Sequence, residues 1–229
     1  MNAFRCLIFA ASIWCSACAP PGAVHDHSPS LESETETFTP TALLWEATRA
    51  EGAQWSVFAH DLIGNSEAAD QLLPGSADVE DFCPRYHSLG RAARVNFWAY
   101  LVSAVAKFES GHNPLTRFHE STMGTDPISG EPVHSEGLLQ LSYQDIRGYP
   151  FCKFDWQKDL AFPRGDPRRT ILNPFTNLDC GIRILAQQVH RKGKIALTTG
   201  VYWSVLKSGG KYSRLNEISA FTQSLPFCN

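Results

Sequence analysis

The sequence of 229 residues carries no excess of positive charge: 20 Lys and Arg stand against 23 Asp and Glu, a formal net charge of −3. Nucleic-acid partners need a basic stripe or patch to displace counterions, so that balance argues against them. Gly-rich phosphate loops and internal repeats are missing too, which removes the usual nucleotide-binding and solenoid readings. No stretch shows convincing two-residue alternation, so a sheet-based domain is not expected. The cysteines beyond the N-terminus, Cys83, Cys152, Cys180 and Cys228, form no CxxC pair, and zinc is rejected for them. His119-Glu120 and His134-Ser135-Glu136 match neither HExxH nor another compact ligand set, so no metal and no cofactor is implied.

What is present starts with an apolar N-terminus. Met1 to Cys18 read MNAFRCLIFAASIWCSAC: one Arg, an apolar stretch of signal-peptide length, then small residues. The stretch is too short to span a bilayer as a helix. Residues 19–40 are rich in Pro, Ser, Thr and Glu and offer little to bury, so they read as a solvated linker. The division expected is therefore a signal over 1–18, a linker over 19–40 and one domain over 41–229. Ser16-Ala17-Cys18 also resembles the end of a bacterial lipoprotein signal, although Cys15 stands where such signals usually carry Leu. The alternatives are lipidation at Cys18, with an outer-membrane anchor, and plain cleavage nearby. Both place the domain in the cell envelope, periplasmic or secreted. Four cysteines in an exported domain favour two disulfides, with three pairings open.

Hydrophobic residues make up 43% of the chain and charged residues 19%, enough apolar material for a core. Helical spacing predicts one or two helices over 41–63, shorter turns over 65–73 and 78–86, and a long helix over 92–109. In that helix Val95, Trp98, Ala99, Val102, Val105 and Ala106 form an apolar stripe. A polar segment from 111 to 136 reads as a long loop with room for a small β-hairpin. Ser142 is the expected N-cap of a short helix to Arg147. Asn173-Pro174 should open a helix that ends at Gly193, and two further helices are expected over 199–207 and 213–224. The fold class is mainly α.

The stripe of the long helix continues to Glu109, within FESGHNP at 108–114. Burial and the negative end of the helix dipole both disfavour a charged carboxylate. Gly111 lets the helix stop and Pro114 prevents its resumption. The chemistry expected is a protonated carboxyl at the lip of a cleft, able to donate a proton near neutral pH. Position alone is equally compatible with a Glu that reaches solvent at a helix end.

Further segments follow in order: SEGLLQLS at 135–142, NPFTNLDCGIRIL at 173–185 and GVYWSVLK at 200–207. Taken with FESGHNP, this order resembles the lysozyme-like domain of the soluble lytic transglycosylases and goose-type lysozymes, over about residues 90 to 210. The resemblance implies a lysozyme-like fold acting on the β-1,4 bond between N-acetylmuramic acid and N-acetylglucosamine in peptidoglycan, and the chain is expected to be a monomer. It implies Glu109 as general acid, Ser110 as a residue settling the helix end, and Gln140 and Tyr202 as residues lining the sugar cleft. Departures are Leu139 for the family's Met, and Trp203 and Ser204 within the stretch around Tyr202. The segment from Glu109 to Gly137 is longer than the family norm and holds Glu120, Asp126 and Glu131.

Those acids leave two outcomes open. Glu109 alone would give an anhydro sugar, whereas a second carboxylate about 6.5–9.5 Å away would hold a water for inverting hydrolysis. Asp126, flanked by Gly124 and Pro127, is the expected second carboxylate. An acidic loop would also favour the ammonium of de-N-acetylated glucosamine, giving tolerance of deacetylated glycan. A non-catalytic glycan-binding protein is the alternative from another class.

Overall fold

Trp45 anchors the start of the fold. It lies fully buried in a single 3-10 turn, Leu44–Ala47, and its indole N–H donates to Ser56 Oγ at 2.9 Å. Ser56 belongs to helix α1, Gly52–Asn65, which is followed by α2, Ala68–Leu72, and by 3-10 turns at Val79–Asp81 and Tyr86–Ser88. The computed structural model describes residues 38–229, and these form one unit. The signal over 1–18, Cys18 with its expected lipidation, and most of the linker lie outside the described residues.

Helix α3, Arg91–Ser110, is the element around which the rest is arranged. The apolar stripe expected for it is real but too narrow a description, because every residue from Asn96 to Ala106 is buried. A helix enclosed on all sides must satisfy its polar side chains within the protein. Asn96 does so through Thr41 and His60, and Ser103 through the Tyr100 carbonyl and the Leu44 amide. The turn at 44–47, α1, the turn at Ser204–Leu206 and the last helix pack around it.

After α3 the chain forms the small hairpin expected in the 111–136 loop. Strands β1, Arg117–His119, and β2, His134–Glu136, pair antiparallel with Arg117 opposite Glu136. Helix α4 covers Asp145–Gly148 and α5 covers Trp156–Asp159; the sequence pattern does not announce α5. Ser142 is not an N-cap: its backbone amide instead donates to Asp145 Oδ2 at 2.7 Å, the stronger acceptor three residues on. Helix α6, Pro174–Lys192, opens as expected, with Asn173 Oδ1 accepting from the amides of Phe175 and Thr176 and Gly193 closing it in left-handed conformation. Residues 199–207 are not a helix. Only the 3-10 turn at 204–206 forms, because Tyr202 and Trp203 are held by contacts to distant segments described below. Helix α7, Leu215–Gln223, ends the fold.

Two disulfides join Cys83 to Cys228 and Cys152 to Cys180. Among the described residues no helix is long and apolar enough to cross a membrane.

Candidate active site

The last turn of α3 delivers Glu109 to a cleft of about 1060 Å³. Gly111 stops the helix in left-handed conformation, its amide reaching the carbonyls of Ala106 and Lys107. His112 also adopts positive φ and is buried; its ring bridges the Ser103 carbonyl, at 2.9 Å, and Thr48 Oγ1, at 3.0 Å. The helix end is therefore pinned from two sides, and Glu109 has little freedom to swing into solvent. Its Oε1 is buried and has no hydrogen-bond partner. Burial, with the negative charge of Glu120 as a second cause, pushes the Glu109 carboxyl up to about 7.

The segments that follow one another in the sequence converge on Gly137–Gln140. Ser110 Oγ donates to the Leu138 carbonyl at 2.8 Å. Asn177 of α6 accepts from the Leu139 amide and donates to the carbonyls of Glu136 and Ile171. Trp203 Nε1 donates to the Leu139 carbonyl at 2.8 Å. A loop whose polar groups are answered by three other elements is rigid, so the cleft wall is preorganised. Gln140 has φ 49 and spends its amide N–H groups on Gly137 and Thr116, which fixes its side chain along the cleft.

Glu109, Gln140 and Tyr202 thus share one cleft, while Ser110 ties the helix to the loop and is not part of the lining. Asp126 does not reach the site. It is buried at the tip of the hairpin, where Oδ1 accepts from the amides of Ile128 and Ser129 and Oδ2 from that of Gln144. Both oxygens are committed to backbone, which corrects the expectation of a second catalytic carboxylate at this position. Glu131 is also elsewhere, paired with Arg164. Glu120, just after β1, is the loop acid that lines the cleft, with Ser135 Oγ donating to its Oε1 at 2.5 Å.

Two site residues have no obvious signal in the sequence. Asp145 lines the cleft and accepts from the Tyr202 hydroxyl at 2.6 Å, yet it reads locally as an ordinary acid in a first helical turn. Asn177 could have been found only by asking why an amide stands among apolar residues of α6. The cleft is also lined by Arg191 and Lys192 of α6 and by Arg214, which pairs with Glu217. Phe118 and Tyr212 expose aromatic rings along it. Among the described residues, no group of three or more His, Cys, Asp or Glu stands close enough to hold a metal ion.

No family model and no curated protein matches the sequence. Solved structures do. Bd0314 DslA, in a wild-type form, is 32% identical, with 84% of this chain and all of that chain covered and a TM-score of 0.69. Two glutamate-to-glutamine variants of the same protein match at 32% identity and TM-score 0.67, with the same coverage. Their substituted positions are eleven residues apart.

Proposed function

This chain belongs to the family of Bd0314 DslA, and from that premise we propose that it is a peptidoglycan muramidase with a lysozyme-like fold. It cleaves the β-1,4 bond between N-acetylmuramic acid and N-acetylglucosamine in the envelope, after export by its N-terminal segment. The carrying observation is Glu109: a carboxyl at the end of a pinned helix, buried at Oε1 without a partner, and pushed up to about 7 in a cleft of about 1060 Å³. At or below neutral pH it is protonated and donates to the leaving glycosidic oxygen. The disulfides support export, since such bonds persist in oxidising compartments.

Glu120 takes the place first expected of Asp126. Glu109 and Glu120 are eleven residues apart, the spacing of the two substituted glutamates in Bd0314 DslA. The negative charge of Glu120 in the same cleft does two things. It raises the Glu109 carboxyl, and it offers a negative charge to a cationic sugar, which supports tolerance of glucosamine that has lost its acetyl group. It is also the candidate to hold water for hydrolysis; if Glu109 works alone, the muramyl 6-hydroxyl closes an anhydro ring instead.

Purified peptidoglycan incubated with the wild-type domain and with Glu109→Gln tests this reading. The variant should fold normally and lose on the order of a hundredfold or more in cleavage. A folded Glu109→Gln protein with near-normal turnover would overturn it, and binding without cleavage by the wild type would favour a glycan-binding protein. Reducing against anhydro ends in the wild-type product identifies the reaction. Glu120→Gln, assayed on acetylated and deacetylated glycan, should lose turnover of the deacetylated form selectively where Glu120 acts as the partner of a cationic sugar, and of both forms where it holds the water.

A further inference from the structure

Tyr202 has one proton to give, and the structure shows where it goes. The Tyr202 hydroxyl lies 2.6 Å from Asp145 Oδ2, the length of a charge-assisted O–H···O⁻ bond. The same Oδ2 accepts from the Ser142 amide at 2.7 Å. Burial raises the Asp145 carboxyl, while the donors from Tyr202 and from Ser142, through its amide and hydroxyl, act the other way; with Oδ2 taking all of these contacts, the hydrogen between it and Tyr202 is assigned to the phenol. The geometry is held on both sides. Tyr202 is anchored by its amide, which donates to Gln188 Oε1 at 2.9 Å, and by its ring, which meets Tyr149 and Trp203 edge-on. Asp145 begins α4, whose preceding residue is tied down through the Gln144 amide to Asp126.

We propose that Asp145 is a positioning residue that commits the Tyr202 hydroxyl proton to its own side of the cleft, so that Tyr202 presents only lone pairs to Glu109 and to the sugar. This rests on the reading of Glu109 as the acid and adds to it the reason that acid stays loaded. A phenol near a carboxylate ordinarily donates to it and stabilises the charged form. Here that donor is spent, and Glu109 Oε1 is left buried without a partner. Tyr202 can accept a hydrogen bond from the protonated carboxyl or from a sugar hydroxyl, and it cannot help Glu109 to ionise. Tyr202 and Glu109 line the same cleft; burial is the main cause that raises the phenol, Asp145 the next, and the Glu109 charge adds the smallest part.

The other charges lining the cleft bear on any titration of Glu109. Glu120 and Arg117 face it from the hairpin, and Arg214 from the C-terminal segment. Tyr149, with Asp145, comes from the 137–149 segment, Arg191 and Lys192 from the end of α6, and Lys107 shares its own helix. Removing Asp145 therefore changes a charge as well as a hydrogen bond, and the test must separate the two. Asp145→Asn loses the charge and keeps an oxygen that can accept from Tyr202 and Ser142. Asp145→Ala loses both.

The experiment is the titration of the Glu109 carboxyl by carbon NMR, without substrate, in these variants and in the same pair carrying Tyr202→Phe. With Tyr202 present, Asp145→Ala should titrate about one pH unit below Asp145→Asn, because the freed phenol donates to the Glu109 carboxylate. In the pair that also carries Tyr202→Phe the two should titrate together. Tyr202→Phe alone should leave the midpoint unchanged or lower it, and this single variant decides the matter if Asp145→Ala fails to fold. A rise of the midpoint in Tyr202→Phe means that the phenol was donating to Glu109 and overturns the proposal. An Asn–Ala difference that is zero, or that survives the loss of the phenol, does the same. Because no turnover is needed, failure here is distinct from failure of the muramidase reading, which the Glu109→Gln cleavage assay decides.

Discussion

A half-buried carboxyl without a hydrogen-bond partner has a cost that depends on pH, and at the scale of single residues this is the most direct check on Glu109. Its ordinary value of 4.5 in the unfolded chain rises to about 7 in the fold, so the folded state holds the proton more tightly. Stability then falls as pH climbs from about 4.5 to about 7, and the loss is complete above that range. The full rise corresponds to at most about 3 kcal/mol, less what partial contact with solvent removes. Glu109→Gln keeps the shape and cannot ionise. In urea unfolding the variant should therefore match wild type near pH 4 and exceed it by about 1–3 kcal/mol near pH 8. Equal stability of the two proteins at both pH values would mean that Glu109 ionises freely. On the proposed muramidase reading the same titration governs the reaction: cleavage that needs the protonated acid should decline as pH rises through about 7.

At the scale of elements, helices with local start and stop signals were legible and segments held by distant partners were not. Asn173 capping α6, Gly193 ending it, and the apolar run of α3 ending at Gly111 all depend on residues within a turn of one another. Residues 199–207 have helical spacing, yet Trp203 donates to Leu139 and Tyr202 to Asp145, and these partners pull the segment out of a helix. The sequence does not separate Asp126 from Glu120 for a related reason. Both are acids in one polar loop, and only the fold of the hairpin turns one to the backbone and the other to the cleft. Gly137 shows how tightly the convergence point is built. Its φ is +83, and a Cβ there would lie 2.3 Å from Asn177 Nδ2 and 2.9 Å from the Ile171 carbonyl. Gly130, in the hairpin loop, has φ +71 with nothing within 4 Å. Gly130→Ala should thus cost only the left-handed penalty, about 1–2 kcal/mol. Gly137→Ala adds the displacement of a fully hydrogen-bonded buried amide and should cost about 3–5 kcal/mol in chemical denaturation. A similar loss in the two variants would show that the contact with Asn177 yields easily.

At the scale of the whole molecule, the two disulfides divide stability from site geometry. Cys83–Cys228 spans 145 residues and fastens the C-terminus to the turn after α2, where the Arg85 amide also reaches the Cys228 carbonyl. Cys152–Cys180 spans 28 residues and joins the segment after α4 to the middle of α6. If each bond acts by restricting the unfolded chain, the longer closure contributes more, by about 1.5 kcal/mol at 25 °C. Replacing Cys83 and Cys228 by Ala should therefore lower unfolding free energy further than replacing Cys152 and Cys180. The effect on the cleft should run the other way. Cys152 lies three residues beyond Tyr149, and α6 carries Gln187, Gln188 and Arg191 into the cleft, whereas neither Cys83 nor Cys228 belongs to its lining. Loosening the shorter bridge lets the Tyr149 wall move relative to α6. Cleavage by the Cys152→Ala/Cys180→Ala protein should fall several-fold at a temperature where both double variants remain folded, while the Cys83→Ala/Cys228→Ala protein keeps its turnover. Unfolding curves and a peptidoglycan digest on the same two proteins read both quantities. If the 28-residue bridge proves the larger contributor to stability, chain entropy is not the main effect; if both proteins cleave equally, the wall at Tyr149 is held without its disulfide.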